Sequence, residues 1–348
     1  RHTRFALVSW ARDVYKRQVL GRLTTIKYDE PREIAPGISI RMVDAGHILG
    51  SASLEMTVRE GGAERVIAFS GDIGDSGAPL LKDPTPLTRA DVVVMESTYG
   101  DRDHRSRHES IEQLVDVIVT ARSQNGKVLI PAFAVGRTQQ LIYNLRELQR
   151  AGRLRATGVY IDSPMAVNAT DLYVRHRELF DDETYDIIKS GGSPLNFPGL
   201  AYVRTVPESR KLNDMRGGIV VIAASGMCTG GRILHHLLHG LGRADTHVVI
   251  VGFQAQGSLG RQLVDHARTV RVMNEIVGVR AQIHTLGGFS AHAGQSGLMR
   301  WASHFKQIKP RLYLTHGEPS ARVKLQSKLA QDLDLQARLP EWGEGAEL

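Results

Sequence analysis

The sequence predicts a layered α/β protein. Short apolar runs alternate with amphipathic stretches from Val19 onward, and chemically distinctive polar residues follow directly after those runs. Strand–helix alternation of this kind indicates layered packing with largely parallel pairing through the middle of the chain.

Taken in order, residues 39–43 and 52–58 read as strands by alternation, while residues 65–69 and 91–95 are apolar enough to be buried on both faces. The first helix is marked by Ser106 and Glu109 at capping-box spacing. Ile111, Leu114, Val115, Ile118 and Val119 then recur at helical intervals up to Gly126. Residues 128–130 form the next strand, and Leu141, Ile142, Leu145 and Leu148 stripe another helix. Residues 159–161, 219–223 and 248–251 follow as buried strands, each succeeded by a helical stretch. The Gly/Pro-rich residues 190–199 read as a surface loop, residues 311–314 as a late strand and residues 320–333 as a late helix. Asp72, Glu96, Asp162, Ser225 and His316 each come just after an apolar strand, where ligands gather in layered α/β folds. They predict one shared cleft or two facing ones.

Composition narrows the class. At 348 residues, with 42% hydrophobic and 23% charged content, the chain suits two domains or one large composite one. No apolar run approaches the length of a membrane span, and a single cysteine, Cys228, excludes an internal disulfide and fits a reducing, cytoplasmic setting. Residues 13–18, DVYKRQ, read like a translated sequencing adapter, so residues 1–18 are expected to be non-native. They hold five Lys/Arg and one Asp. Without them the formal charge falls from +7 to +3, and net charge becomes weak evidence for a nucleic-acid partner.

The chemistry lies in glycine-flanked histidines and acids. His47 in AGHILGSAS, Asp72 in FSGDIGD and His316 in THGE sit at sharp turns after strands. Imidazole and carboxylate are the usual ligands of a hydrolytic zinc site, and an aspartate can bridge two ions. Singly, each reads as well as a structural histidine or a turn. In order along the chain come AGHILGSAS, FSGDIGD, ESTYGDR, IPAFAVGRTQQL, YIDSPMA, ASGMCTGGRILHHL, VGFQAQGSLGRQL, HTLGGFSAHAGQ and THGE. Together they resemble the β-CASP branch of the metallo-β-lactamase superfamily, and are closest to its prokaryotic RNA-degrading and RNA-processing ribonucleases. The branch also contains the nuclease subunit of the cleavage and polyadenylation machinery.

The resemblance covers residues 19–348 and implies an αββα metallo-β-lactamase sandwich with an inserted α/β β-CASP domain. The core would comprise residues 19–100 and 289–348, the latter an RNA-specificity segment, with the insertion at residues 101–288. His47, Asp72 and His316 resemble metal ligands of a two-zinc site, Asp72 as the bridge. His292 resembles the general acid, and Glu96 the carboxylate that orients it and favours its charged form. A proton donor at the leaving oxygen is worth roughly 10²–10⁴-fold. The family's His-x-His-x-Asp-His motif, which provides four ligands, is absent from the sequence. The chain is therefore expected to be N-terminally truncated, to bind zinc weakly or not at all, and to be inactive as it stands.

Further candidates are weaker. Ser225 and Gly226, and Ser290 beside Gly287 and Gly288, form glycine-rich stretches that can hold a phosphate or simply turn the chain. Arg137 is placed to touch phosphates or to pair with an acid, and His284 to line an RNA groove or the surface. His235, His236 and His239 lack the glutamate of a metalloprotease helix and are assigned to structure, as Cys228 is to packing. With 6% aromatic residues and no RRM-type signature, RNA binding is expected to be backbone-directed rather than base-stacking.

The leading expectation is a zinc-dependent endoribonuclease with scope for 5′-exonuclease activity, RNA as partner, no membrane, and room for a homodimer. A non-catalytic RNA-binding scaffold, a DNA-directed nuclease of the same branch and a small-molecule hydrolase are the alternatives. The intact His47, Asp72, Glu96, His292 and His316 argue against the scaffold. His316 argues against a DNA-repair member, and the motifs between Glu96 and His292 argue against a small-molecule enzyme.

Overall fold

The computed structural model describes residues 19–154 and 157–345; residues 1–18, the suspected adapter, lie outside the described residues. The chain builds two large sheets. The first combines β1 (Arg32–Ala35), β2 (Ile38–Asp44), β3 (Ala52–Glu60), β4 (Ala63–Phe69) and β5 (Val92–Glu96) with two strands from the far end of the chain. These are β14 (Arg311–Thr315) and β15 (Ala337–Arg338), and the strand order is β1-β2-β3-β4-β5-β14-β15. Strands β1 to β4 pair antiparallel, whereas β4–β5, β5–β14 and β14–β15 are parallel.

The period-two alternation of these strands decides what covers each face. Val93, Met95, Leu312 and Leu314 point into one cluster with Leu298, Met299 and Trp301 of α8 (Gln295–Ser303) and Leu325 and Leu329 of α9 (Pro319–Leu333). The opposite face carries Ile67, Val92 and Tyr313, with Met56, Val58 and Phe69 only partly covered. The described residues of this region thus form one β layer and one helical layer.

Between β5 and β14 in sequence lies the second sheet, wholly parallel. Its order is β13-β10-β6-β9-β7-β8, from β6 (Lys127–Pro131), β7 (Val159–Ile161), β8 (Leu200–Tyr202), β9 (Ile219–Ala223), β10 (Thr246–Ile250) and β13 (Gln282–Thr285). Its central strands β6, β9 and β10 are buried along their whole length, because helices cover both faces. On one side α1 (Arg107–Ser123) and α2 (Arg137–Arg150) bring Leu114, Ile118, Leu141 and Leu145 against Val128, Ile130 and Val220. On the other, α5 (Val206–Asp214), α6 (Ile233–Gly240) and α7 (Leu259–Val264) bring Leu212, Ile233, Leu237 and Leu263 against Leu129 and Val221. Helices α3 (Pro164–Arg175) and α4 (Asp182–Lys189) follow β7.

The α/β layering and the parallel middle region agree with the sequence pattern. Ser106 caps α1 by accepting from the Glu109 amide at 3.2 Å, and the chain leaves that helix through the left-handed Asn125, one residue before Gly126. Sequence periodicity missed β13 and the hairpin of β11 (Thr269–Val272) with β12 (Glu275–Gly278), whose exposed positions dilute the apolar signal. Among the described residues no helix is long and apolar enough to cross a membrane.

Candidate metal centre and cleft

Strand pairing sets the geometry of the site. In the β5–β14 register Thr315 faces Glu96, so His316, the next residue, emerges beside the end of β5. His316 takes a left-handed backbone (φ 47°), and its carbonyl accepts from the Ser97 amide and the Thr98 hydroxyl at 3.2 Å each. His47 lies in the loop after β2, which Ser51 closes by accepting from the His47 and Ile48 amides at 3.1 and 3.2 Å. Asp72 lies in the loop after β4. The two loops touch at Gly74, whose amide donates to Ala45 at 2.7 Å; a Cβ there would fall 2.0 Å from the Gly46 carbonyl oxygen, so only glycine fits.

These loops converge at the mouth of a cleft of about 750 Å³ lined by His47, Asp72, Ser290, His292 and His316. Asp72 offers its two oxygens to different imidazoles. Oδ2 lies 3.8 Å from His47 Nε2 and Oδ1 lies 3.2 Å from His316 Nδ1. Asp72, Glu96, His292 and His316 each bring a donor atom into a group whose members all lie within 4.8 Å of one another. The His47 ring packs on His292 with centroids 4.4 Å apart. Burial, reinforced by the proximity of His292, pushes His47 down to about 4, so it is neutral near pH 7 and able to ligate.

Glu96 differs from Asp72. Its side chain is 2% exposed, and its oxygens are already taken: Oε1 accepts from the Ile73 amide at 2.6 Å, Oε2 from the Thr98 amide at 3.3 Å. His292 Nδ1 lies 3.2 Å from both oxygens. Burial alone would raise the Glu96 carboxyl, but the bonds from His292, Thr98 and Ile73 outweigh it and hold it low. A carboxylate so saturated orients a histidine rather than binding an ion. Asp72 is more open, at 42% side-chain exposure, and its only ionic neighbours among the described residues are the two imidazoles. Imidazole and carboxylate donors so grouped are chemically suited to a metal ion, and His47 lies beside the group through its 3.8 Å approach to Asp72.

The remaining candidates separate. Ser290 lines the cleft beside His292. Arg137 also lines it, at the start of α2 and 5% exposed. Ser225 is turned into its own loop, accepting from the Thr229 and Gly230 amides at 2.9 and 3.2 Å, and the Gly226 carbonyl is bound by Gln254 at 2.9 Å. His284 lies in a separate depression, with Nε2 3.0 Å from His247 Nδ1. Of the five strand-end residues, Asp72, Glu96 and His316 meet. Asp162 does not: it is fully buried against His236 and Arg232. His236 is thereby structural, and Cys228 is buried with its thiol pushed up to about 12.

Two participants lacked a sequence signal strong enough to single them out. His104 donates from Nε2 to the His292 carbonyl at 2.8 Å, fixing the backbone that carries His292. Phe133, inside IPAFAVGRTQQL, stands 43% exposed in the cleft wall although the low aromatic content argued for backbone contacts alone. Its place directly after a buried strand was the available clue.

The Beta-Casp domain model matches residues 138–263, and the model of the Zn-dependent metallo-hydrolase RNA specificity domain matches residues 276–340. The chain is 39% identical over 328 residues to Ribonuclease TTHA0252 of Thermus thermophilus, covering 94% of this chain and 73% of that protein. It is 30% identical over 333 residues to Transcription termination factor FttA of Pyrococcus abyssi, covering 93% of this chain and 51% of that protein. An RNase J-like protein of Methanocaldococcus jannaschii is 29% identical over 296 residues, covering 84% and 67%. The chain thus spans about half the length of the archaeal termination factor and roughly three quarters of the bacterial ribonuclease.

Proposed function

The chain belongs to the β-CASP branch of the metallo-β-lactamase family, and on that premise we propose that the gene product hydrolyses RNA phosphodiester bonds with two zinc ions per site, whereas these 348 residues, with only His47, Asp72 and His316 of the ligand set, are inactive by themselves. The observation that carries this reading is the Glu96–His292 pair set directly beside the Asp72 carboxylate at the mouth of one cleft. His47, Asp72 and His316 are the residues of this chain that would hold metal, Asp72 as the bridge. Zinc bound there supplies Lewis acidity, acting on water and on the phosphate.

The protein's own groups do the rest. Glu96 accepts the Nδ1 proton of His292, which fixes the ring and turns Nε2 toward the cleft. In its charged form His292 gives the Nε2 proton to the departing oxygen of the cleaved strand. Ser290, two residues away in sequence, is placed to donate to a phosphate oxygen. His104 and the Gly74 contact hold the two loops in register, so the acid and the bridging carboxylate keep their separation. Residues 101–288 act as an inserted domain between core segments 19–100 and 289–348, so that substrate enters between them.

The test compares matched RNA and DNA oligonucleotides with the whole gene product, with zinc and with chelator. RNA cleavage that exceeds DNA cleavage and disappears with chelation is expected. Faster DNA cleavage overturns the RNA preference, and chelator-resistant cleavage overturns the metal dependence.

A further inference from the structure

The loop joining β6 to α2 places two unusual side chains in the cleft wall. Phe133 is 43% exposed, yet it is held firmly. Its carbonyl accepts from the Thr138 hydroxyl at 2.7 Å. Gly226 backs the ring so closely that a Cβ there would lie 2.7 Å from the ring and 3.0 Å from the Phe133 amide nitrogen. The exposed Val135 and Met165 continue this apolar wall within the same cleft as the histidines. Scattered exposed apolar side chains are ordinary; a contiguous set beside a catalytic cluster marks a binding surface.

Arg137, the first residue of α2 where that loop ends, is the opposite anomaly. It is 5% exposed, and its hydrogen bond goes to the neutral Gln140 amide oxygen at 2.8 Å. Among the described residues no carboxylate lies within salt-bridge distance of it, and Arg107 adds like charge nearby. Burial pushes the guanidinium down to about 9, so it stays charged at neutral pH in a place where charge is disfavoured. A buried cation without an internal anion suits an anion delivered from the cleft.

We infer that this loop is a nucleotide subsite, in which Phe133 stacks on an unpaired base and Arg137 holds a phosphate of the same strand. This rests on the RNA reading of the cleft and deepens it. The bases of a duplex have both faces covered by neighbouring pairs, so the subsite selects single-stranded RNA. Base recognition is then a matter of stacking, which tolerates any sequence.

The experiment uses the whole protein in chelator, so that no probe is cleaved. Fluorescence anisotropy measures binding of a short single-stranded oligoribonucleotide, its abasic counterpart and a blunt duplex. Phe133→Ala is expected to weaken the single strand on the order of tenfold while leaving the abasic strand unchanged, and Phe133→Trp to restore binding. Arg137→Met is expected to reduce the slope of log affinity against log salt by about 0.7 without lowering Tm, because it removes an uncompensated buried charge. Equal effects of Phe133→Ala on the base-bearing and abasic strands would overturn the stacking role. An unchanged salt slope in Arg137→Met, with a lowered Tm, would make that arginine structural. Wild-type protein that binds none of the three probes refutes the RNA reading itself. Wild-type protein that binds RNA with an affinity indifferent to Phe133 refutes the subsite alone.

Discussion

The molecule holds two carboxylate–histidine pairs built in the same way, each with its acid at the end of a buried parallel strand. Glu96 is the last residue of β5 and meets His292 at 3.2 Å; Asp162 follows β7 and meets His236 at 2.6 Å. In the first pair the histidine is 18% exposed and lines the cleft, and among the described residues only its Nδ1 is hydrogen-bonded to a side chain. In the second, Asp162 is 0% and His236 1% exposed, and both ring nitrogens are bound, Nε2 by Asp162 and Nδ1 by Asn213. Arg232 and Ser209 complete the Asp162 shell at 2.6 and 2.5 Å. A catalytic histidine needs one nitrogen fixed and one free, and the closed pair has no free one. Both pairs join a carboxylate to an imidazole; the unoccupied nitrogen and the access to it are what distinguish the first, on which the proposed chemistry rests.

Replacing the histidines should split the two roles most sharply. In the whole gene product, His292→Ala is expected to lower the RNA cleavage rate by roughly 10²–10⁴-fold with little change in Tm. His236→Ala should do the reverse, lowering Tm while each folded molecule cleaves at the normal rate. Measuring rate and melting on the same preparations tests this, and a His236 variant that is stable but slow would break the distinction. Asp162→Asn comes next in size. It removes the negative charge that faces both Arg232 and His236 and turns one acceptor oxygen into a donor, and breaking a buried pair from one side costs about 3–5 kcal/mol. Urea unfolding should register that loss as a lower midpoint.

The contrast also explains what the sequence could disclose. Asp72, Glu96 and His316 were visible because each follows an apolar run, and His47 because glycines flank it after a strand; the sheet register then brings Glu96 and His316 together. The same rule put Asp162 and Ser225 on the list. It could not separate them, because what closes Asp162 off is His236, 74 positions away on α6. Ser225 is likewise satisfied by amides four and five residues ahead, a loop geometry that composition does not encode. The layering was legible in the buried strands, since β6, β9 and β10 are apolar on both faces. The β11–β12 hairpin was not, because its outward positions are polar or exposed and its inward ones are few. The exposure of Phe133 in the cleft wall was not legible, because overall aromatic content says nothing about where one ring stands.

A smaller perturbation probes the closed pair without dismantling it. Ser209→Ala removes one hydrogen bond to the Asp162 carboxylate and should cost about 1.5–3 kcal/mol, leaving the cleavage rate untouched. A drop in rate would mean that the closed pair communicates with the cleft.

The finest comparison is by pH. At Asp162, as at Glu96, burial alone would raise the carboxyl, but it is outweighed, here by bonds from His236, Ser209 and Arg232, and the group is held low. The unfolded chain then binds protons before the folded one does as the medium acidifies. Each carboxylate therefore contributes stability that is fully present above the ordinary carboxylate range, at about pH 4. That contribution is lost as pH falls through the lower folded value. Unfolding free energy measured from pH 7 downward should show a declining acid limb that is shallower in Asp162→Asn, and shallower again when Glu96→Gln is added. Because the two pairs share no partner, their effects on that limb should add. An acid limb unchanged by Asp162→Asn would show that the closed pair does not hold its carboxylate low, and the resemblance between the two pairs would then stop at geometry.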